Sequence, residues 1–147
     1  RWIGEDRAYL GVCFGAQILA TTLGGEVQRR STFYRAVDTV PWTGGSSRGP
    51  WVLWHEDAIT SSGSAEVVSE LPHAVIALRS GNAWGVQAHI ELDASALERL
   101  ARAVDAPEET SRPLIDLLRE NAEQVTAATF QFLDLALSSP PTQAPPS

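Results

Sequence analysis

The chain has 147 residues, 44% of them apolar and 20% charged, proportions that suit one soluble domain with a buried core and exclude a disordered polymer. Its formal net charge is -7 and its basic residues are scattered, so no basic stripe is offered to a phosphate backbone and nucleic acid is not an expected partner. No apolar run approaches the roughly 20 residues that span a bilayer and no charged-then-apolar leader opens the chain, so the expectation is a cytoplasmic protein without membrane contact.

Ala8 to Val12 is a short apolar run that ends in a glycine-flanked turn. Ala16 to Leu23 is helix-compatible until Gly24-Gly25 stops it, so the chain opens as strand, tight turn, helix. Glu26 to Gln28 and Ala36 to Val40 read as short strands, the second closed by Pro41, followed by a Gly/Ser-rich loop over Thr43 to Pro50. Trp51 to Trp54 is strand-like and leads into a polar turn, His55-Glu56-Asp57. Ala74 to Leu78 and Ala83 to Ala88 flank Ser80-Gly81-Asn82 as the arms of an antiparallel hairpin, and the second arm delivers His89. Asp93 suits the N-cap of a helix over Ala94 to Val104 that Pro107 ends. A long helix then starts near Pro113 and repeats Leu114, Leu117, Leu118, Val125, Phe132 and Leu133 at helical spacing to about Leu137. Residues 138–147 hold four prolines and almost nothing apolar to offset their ordering entropy, so they read as a disordered tail beyond a folded unit of residues 1–137.

The single cysteine cannot form an internal disulfide, so Cys13 is either a buried small hydrophobe or a reactive thiol. A strand-to-helix elbow holds its nucleophile clear of the backbone in a strained turn, and small neighbours, here Gly11 and Gly15, permit the close packing around it. The following helix directs unsatisfied N–H groups and its positive end at the sulfur, which favours thiolate, and the N–H of Phe14 is aimed where a tetrahedral oxyanion forms. Downstream, His89 ends a strand and can act as base, with Glu91 placed to accept its Nδ1–H and fix the tautomer. His55 reads as a loop hydrogen-bonder and His73, after Pro72, as solvent-exposed. One thiol and no zinc-like spacing leave no metal site and no cofactor to assign. Arg29-Arg30 and Tyr34-Arg35 are given no role, since exposed arginines are usually solvated.

Gly11-Val12-Cys13-Phe14-Gly15-Ala16-Gln17 resembles the nucleophile elbow of class I, or triad-type, glutamine amidotransferases. Gly85-Val86-Gln87-Ala88-His89-Ile90-Glu91 resembles that family's Gly-x-Gln-Phe-His-Pro-Glu segment, with Ala88 and Ile90 in place of Phe and Pro. Trp54-His55-Glu56-Asp57 resembles the Trp-His-Gly-Asp segment of stand-alone members similar to the glutaminase half of GMP synthase. The resemblance implies an α/β fold, a three-layer open mixed sheet with flanking helices of flavodoxin-like type. It implies a Cys13-His89-Glu91 triad, a γ-glutamyl thioester formed from L-glutamine, the Gln17 amide on the substrate's amino-acid end, and ammonia passed to a synthase partner. It also implies several strands and a glycine-containing oxyanion loop before the elbow. The chain contains no methionine, so Arg1 is not a translation start, and the expectation is a fragment lacking those N-terminal strands. Two other readings stay open: the same triad acting on a γ-glutamyl peptide, and a non-catalytic binding domain that keeps the elbow by descent.

Overall fold

Apolar runs of strand length and amphipathic runs of helix length assemble into a mixed α/β arrangement in the computed structural model, which describes residues 2–5 and 7–138. The reading of a disordered tail lies, Ser138 apart, outside the described residues.

Strand β1 (Tyr9–Val12) runs parallel to β6 (Ala83–Val86), with Tyr9 opposite Ala83 and Val12 opposite Val86. Strand β6 is antiparallel to β5 (Ala74–Ser80), and β5 to β4 (Glu66–Leu71), which gives a four-stranded mixed sheet in the order β1-β6-β5-β4. The β5–β6 hairpin turns at Gly81, whose φ of 56° is the left-handed conformation that glycine adopts without penalty. Between the first and last of these elements the chain makes a long antiparallel ribbon of β2 (Glu26–Trp42) and β3 (Ser46–Ser61). Register shifts between Arg29 and Tyr34 and between Asp38 and Val40 bend the ribbon.

Helix α1 (Phe14–Thr22) covers one face of the sheet, where Ala16, Leu19 and Ala20 pack on Val75, Leu78 and Ala83. The other face carries Ile76, Trp84 and Val86 against Trp42, Trp51 and Leu53 of the ribbon and Ala128 and Phe132 of α4 (Ala122–Leu137). Helices α2 (Ala94–Ala103) and α3 (Glu108–Glu120) bury Leu97, Ile115 and Leu118 with Val52 and Trp54. Among the described residues, no helix is long and apolar enough to cross a membrane.

The opening strand and helix, the hairpin, and the Asp93 cap stand where the sequence places them; Asp93 Oδ1 accepts from Ala96 N–H at 2.7 Å. Four readings are corrected. The two short strands expected over Glu26 to Gln28 and Ala36 to Val40 are parts of one strand, β2, which runs through Pro41 to Trp42 because those residues pair with Ser47 and Ser46. The expected loop over Thr43 to Pro50 is only a turn at Thr43–Gly45, because Ser46, Ser47 and Arg48 pair with Trp42, Pro41 and Val40 through backbone groups that do not depend on side-chain type. The expected turn at His55-Glu56-Asp57 lies inside β3, with His55 opposite Tyr34 and Asp57 opposite Arg29; the Arg29–Asp57 ion pair, 3.1 Å, compensates the polar content of that stretch. The single long helix is two: α3 begins at Glu108 and holds Pro113 in its interior, and Asn121 leaves helical geometry at φ -111° and ψ 24°, with its Nδ2 donating to Leu117 O at 2.8 Å. Strand β4 was not foreseen.

Phe132 is fully buried, with its ring edge-on to Trp42, Trp51 and Trp84 at centroid distances of 5.8, 5.8 and 5.7 Å. Phe132→Ala is expected to cost about 3–5 kcal/mol in a urea unfolding titration. Phe130→Ala, at a side chain 62% exposed on the same helix, is expected to stay within about 0.5 kcal/mol of the parent.

Candidate active site

Strand β1 ends opposite the end of β6, and the pairing runs one step further, with Cys13 N–H donating to Val86 O at 2.8 Å. There the chain turns sharply: Cys13 adopts φ 50° and ψ -103°, a left-handed conformation costing a non-glycine residue about 1–3 kcal/mol. Helix α1 begins with the next residue, and Cys13 O accepts from the N–H groups of Ala16 and Gln17. A Cβ on Gly11 would collide with the backbone C and O of Gly15, and one on Gly85 would meet Ala16 Cα at 3.1 Å, so both glycines are what let α1 sit on the sheet. At Gly15 a Cβ would meet only Tyr9 Oη at 3.5 Å; the close packing expected there is demanded at Gly11 and Gly85 instead. The N–H of Phe14, at the first helical position, has no acceptor within the helix by geometry, while its ring is 70% exposed.

Beyond β6 the chain bends at Gln87 and Ala88, bridges at His89 and turns at Ile90 and Glu91. Gln87 N–H donates to Ile76 O at 2.6 Å, and His89 N–H donates to Val52 O at 2.7 Å, bridging to the ribbon. The intervening carbonyl of Ile90 accepts from Thr129 Oγ1 at 2.8 Å, and Thr129 Oγ1 in turn accepts from Trp51 Nε1 at 3.2 Å. Glu91 Oε1 lies 2.7 Å from His89 Nδ1, and Cys13 is near enough to the His89 ring to act on its protonation. The structure thus brings together Cys13, His89 and Glu91, and with Nδ1 engaged by the carboxylate, Nε2 is the ring nitrogen left for another partner. Ala88 and Ile90 are buried in the core cluster around Trp84, where their small and branched side chains replace the larger Phe and the Pro of the resembling segment.

Burial pulls the His89 imidazole down, but hydrogen bonds and charge from Cys13 and Glu91 outweigh it and push the group up to about 10. For Glu91, burial acts upward and is outweighed by the hydrogen bond and charge of His89, which hold the carboxyl below its ordinary value. Both shifts favour the same ionised pair. His55 is only 4% exposed, and burial first, then the charges of His73 and His89, push it down to about 4. Its Nε2 lies 3.2 Å from His73 Nε2, and Tyr34 stacks on His73 at 4.0 Å. His55, expected as a loop hydrogen-bonder, is buried within β3, and His73, expected to be solvent-exposed, is half-buried in the Pro72–His73 turn against Tyr34 and His55.

Gln17, expected to face substrate, is buried, with Nε2 donating to Asp57 O at 3.1 Å and to Gln87 Oε1 at 3.3 Å. Gln87 itself, to which sequence reasoning gave no role, is fully buried and donates from Nε2 to Cys13 Sγ at 3.5 Å. Its only signal was a lone polar residue in an apolar run two positions before His89. Arg29 pairs with Asp57, and the Arg35 guanidinium is held between Phe33 and Trp54 at 4.4 and 4.7 Å. A groove of about 360 Å³ between α2 and α3 shares no residue with the triad and is lined by arginines that already have partners, Arg102 with Glu98 and Arg112 with Glu108.

No family model matches the chain. Over 94 residues it is 39% identical to a GMP synthase [glutamine-hydrolyzing] of Thermus thermophilus, covering 56% of this chain and 18% of that protein. Over 95 residues it is 34% identical to a protein of the same name from Porphyromonas gingivalis, covering 56% of this chain and 19% of the relative. The chain thus spans less than two thirds of these relatives' length. The crystal structure of a glutamine amidotransferase from Thermotoga maritima matches 94% of this chain and 66% of its own with a TM-score of 0.79 at 21% identity, a likeness of fold.

A histidine in an unfolded chain titrates near 6.5, so the raised His89 contributes stability that is whole below about pH 6.5 and is lost as pH rises toward about 10. The His89 Hε1 resonance is expected to keep its protonated position through neutral pH and to move only on approach to about 10. In Glu91→Gln the midpoint should fall by about one unit or more.

Proposed function

We propose that this chain, a class I glutamine amidotransferase domain of the GMP synthase-like kind in sequence and fold, hydrolyses the side-chain amide of L-glutamine. The observation that carries this reading is the placement of Cys13, in a strained strand-to-helix turn, beside a His89 whose Nδ1 is held 2.7 Å from Glu91 Oε1. With its pKa pushed up to about 10 by Cys13 and Glu91, the His89 imidazole holds its proton at neutral pH and is poised to donate it. The glutamine-hydrolysing relatives support glutamine as the amide.

The sulfur of Cys13 adds to the side-chain carbonyl carbon, and the oxygen that gains charge is met by the N–H of Phe14. The C–N bond breaks as His89 Nε2 gives its proton to the departing nitrogen, which leaves as ammonia, and a γ-glutamyl thioester remains on Cys13. His89, now neutral, takes a proton from water. The hydroxide adds to the thioester carbon, the C–S bond breaks with its electron pair returning to the sulfur, and glutamate leaves with the His89 ring again protonated. Glu91 remains ionised throughout; it keeps the proton of the other ring nitrogen on Nδ1 and stabilises the charged ring. The ammonia passes to a synthase partner, a reading supported by the name that both relatives carry.

Cys13→Ala is expected to lower ammonia release from L-glutamine by about a thousandfold or more, with an unchanged thermal unfolding midpoint. Activity retained in that variant, or release from γ-glutamyl peptides but not from glutamine, would exclude this function.

A further inference from the structure

The triad leaves a buried amide beside the sulfur without a task. Gln87 is fully buried, yet its Nε2 is aimed at Cys13 Sγ, 3.5 Å away. Its Oε1 accepts from Gln17 Nε2 at 3.3 Å, and Gln17 Nε2 also donates to the backbone carbonyl of Asp57 at 3.1 Å.

An amide side chain has one end that donates and one that only accepts, so a chain of amides has a direction that its terminal partner sets. A backbone carbonyl can only accept. It therefore requires the NH2 of Gln17 on its side, which leaves the oxygen of Gln87 to face Gln17 and the NH2 of Gln87 to face the sulfur. Asp57 belongs to β3, Gln17 to α1, and Gln87 follows β6, so three separate elements fix one hydrogen-bond direction at the nucleophile. A thiol is a weak acceptor and a thiolate a strong one, since hydrogen bonds to an ionised acceptor are roughly twice as strong as neutral ones.

We propose that Gln87 is a positioning residue for the nucleophile, holding the Cys13 sulfur through a neutral donor that does not titrate, and that Gln17 anchors Gln87. This inference rests on Cys13 being the nucleophile proposed above. Gln87 complements His89, whose proton leaves the sulfur when it is given to ammonia. The amide N–H stays in place through both half-reactions. When the C–S bond breaks in the second, it meets the charge that returns to the sulfur.

The test is the pH profile of Cys13 alkylation by iodoacetamide, followed on the Cys13 peptide by mass spectrometry, with circular dichroism and thermal unfolding run in parallel. In Gln87→Met the alkylation rate at pH 7 should fall about tenfold and the half-maximal pH rise by about one unit. Gln17→Met should shift the profile in the same direction by less. A folded Gln87→Met protein with the parent's profile would overturn the proposal. If that variant fails to fold, Gln17→Met decides: a rise supports the proposal, and an unmoved profile rejects it. Iodoacetamide alkylation requires no glutamine, so a shifted profile in a protein that hydrolyses none would count against the proposed function while leaving this inference standing.

Discussion

The parallel pairing of β1 with β6 is the constraint from which the site follows. Parallel strands leave a sheet at the same end, so the turn after Val12 and the extension after Val86 enter one crevice, and Cys13 N–H on Val86 O locks the two exits in register. Side chains alternate along β6, and the residues just after it keep to the same two sides. Trp84, Val86, Ala88 and Ile90 fall into the aromatic core, while Gly85, Gln87 and His89 face α1 and the elbow. A slip of one residue would send Gln87 and His89 into the core and present two apolar side chains to the sulfur.

The two sides of this strand do different work on the same groups. On the α1 side, glycines at 11 and 85 admit the helix, whose buried Ala16, Leu19 and Ala20 help to offset the strain held at Cys13. On the core side, Thr129, itself held by Trp51, holds the carbonyl of Ile90, the residue between His89 and Glu91, so packing around Phe132 bears on the 2.7 Å contact of His89 with Glu91. Such a site is organised before substrate arrives, the condition under which fixed dipoles act most strongly on developing charge. The nearby histidine pair keeps out of this chemistry. His55 is held neutral, pushed down to about 4, while His89 is pushed up to about 10, so one imidazole near the sulfur is charged and its neighbour is not.

How much of this the sequence disclosed follows the distance over which each feature is determined. The elbow and the Asp93 cap are made by near neighbours, as is the hairpin, and all were legible in apolar runs and turn residues. His89 and Glu91 were legible because they stand two residues apart at the end of a strand-like run, near enough in the chain for the carboxylate to reach the ring. The ribbon was not, since its pairs reach from Glu26 to Ser61 and are made by backbone groups, so glycine, serine and charged residues there look like turns. The break at Asn121 depends on one side chain bonding a carbonyl in the preceding turn. The inward direction of Gln17 is settled by partners 40 and 70 positions away, and no local pattern encodes it.

The covalent intermediate gives the most direct test. The protein is mixed with L-glutamine, quenched in acid within one turnover and digested, and the Cys13 peptide is weighed by mass spectrometry. The account predicts a thioester-linked γ-glutamyl group on that peptide, lost on treatment with hydroxylamine and absent when His89 is replaced by alanine. Turnover of glutamine with no adduct on the Cys13 peptide, or with the adduct on another residue, would contradict it.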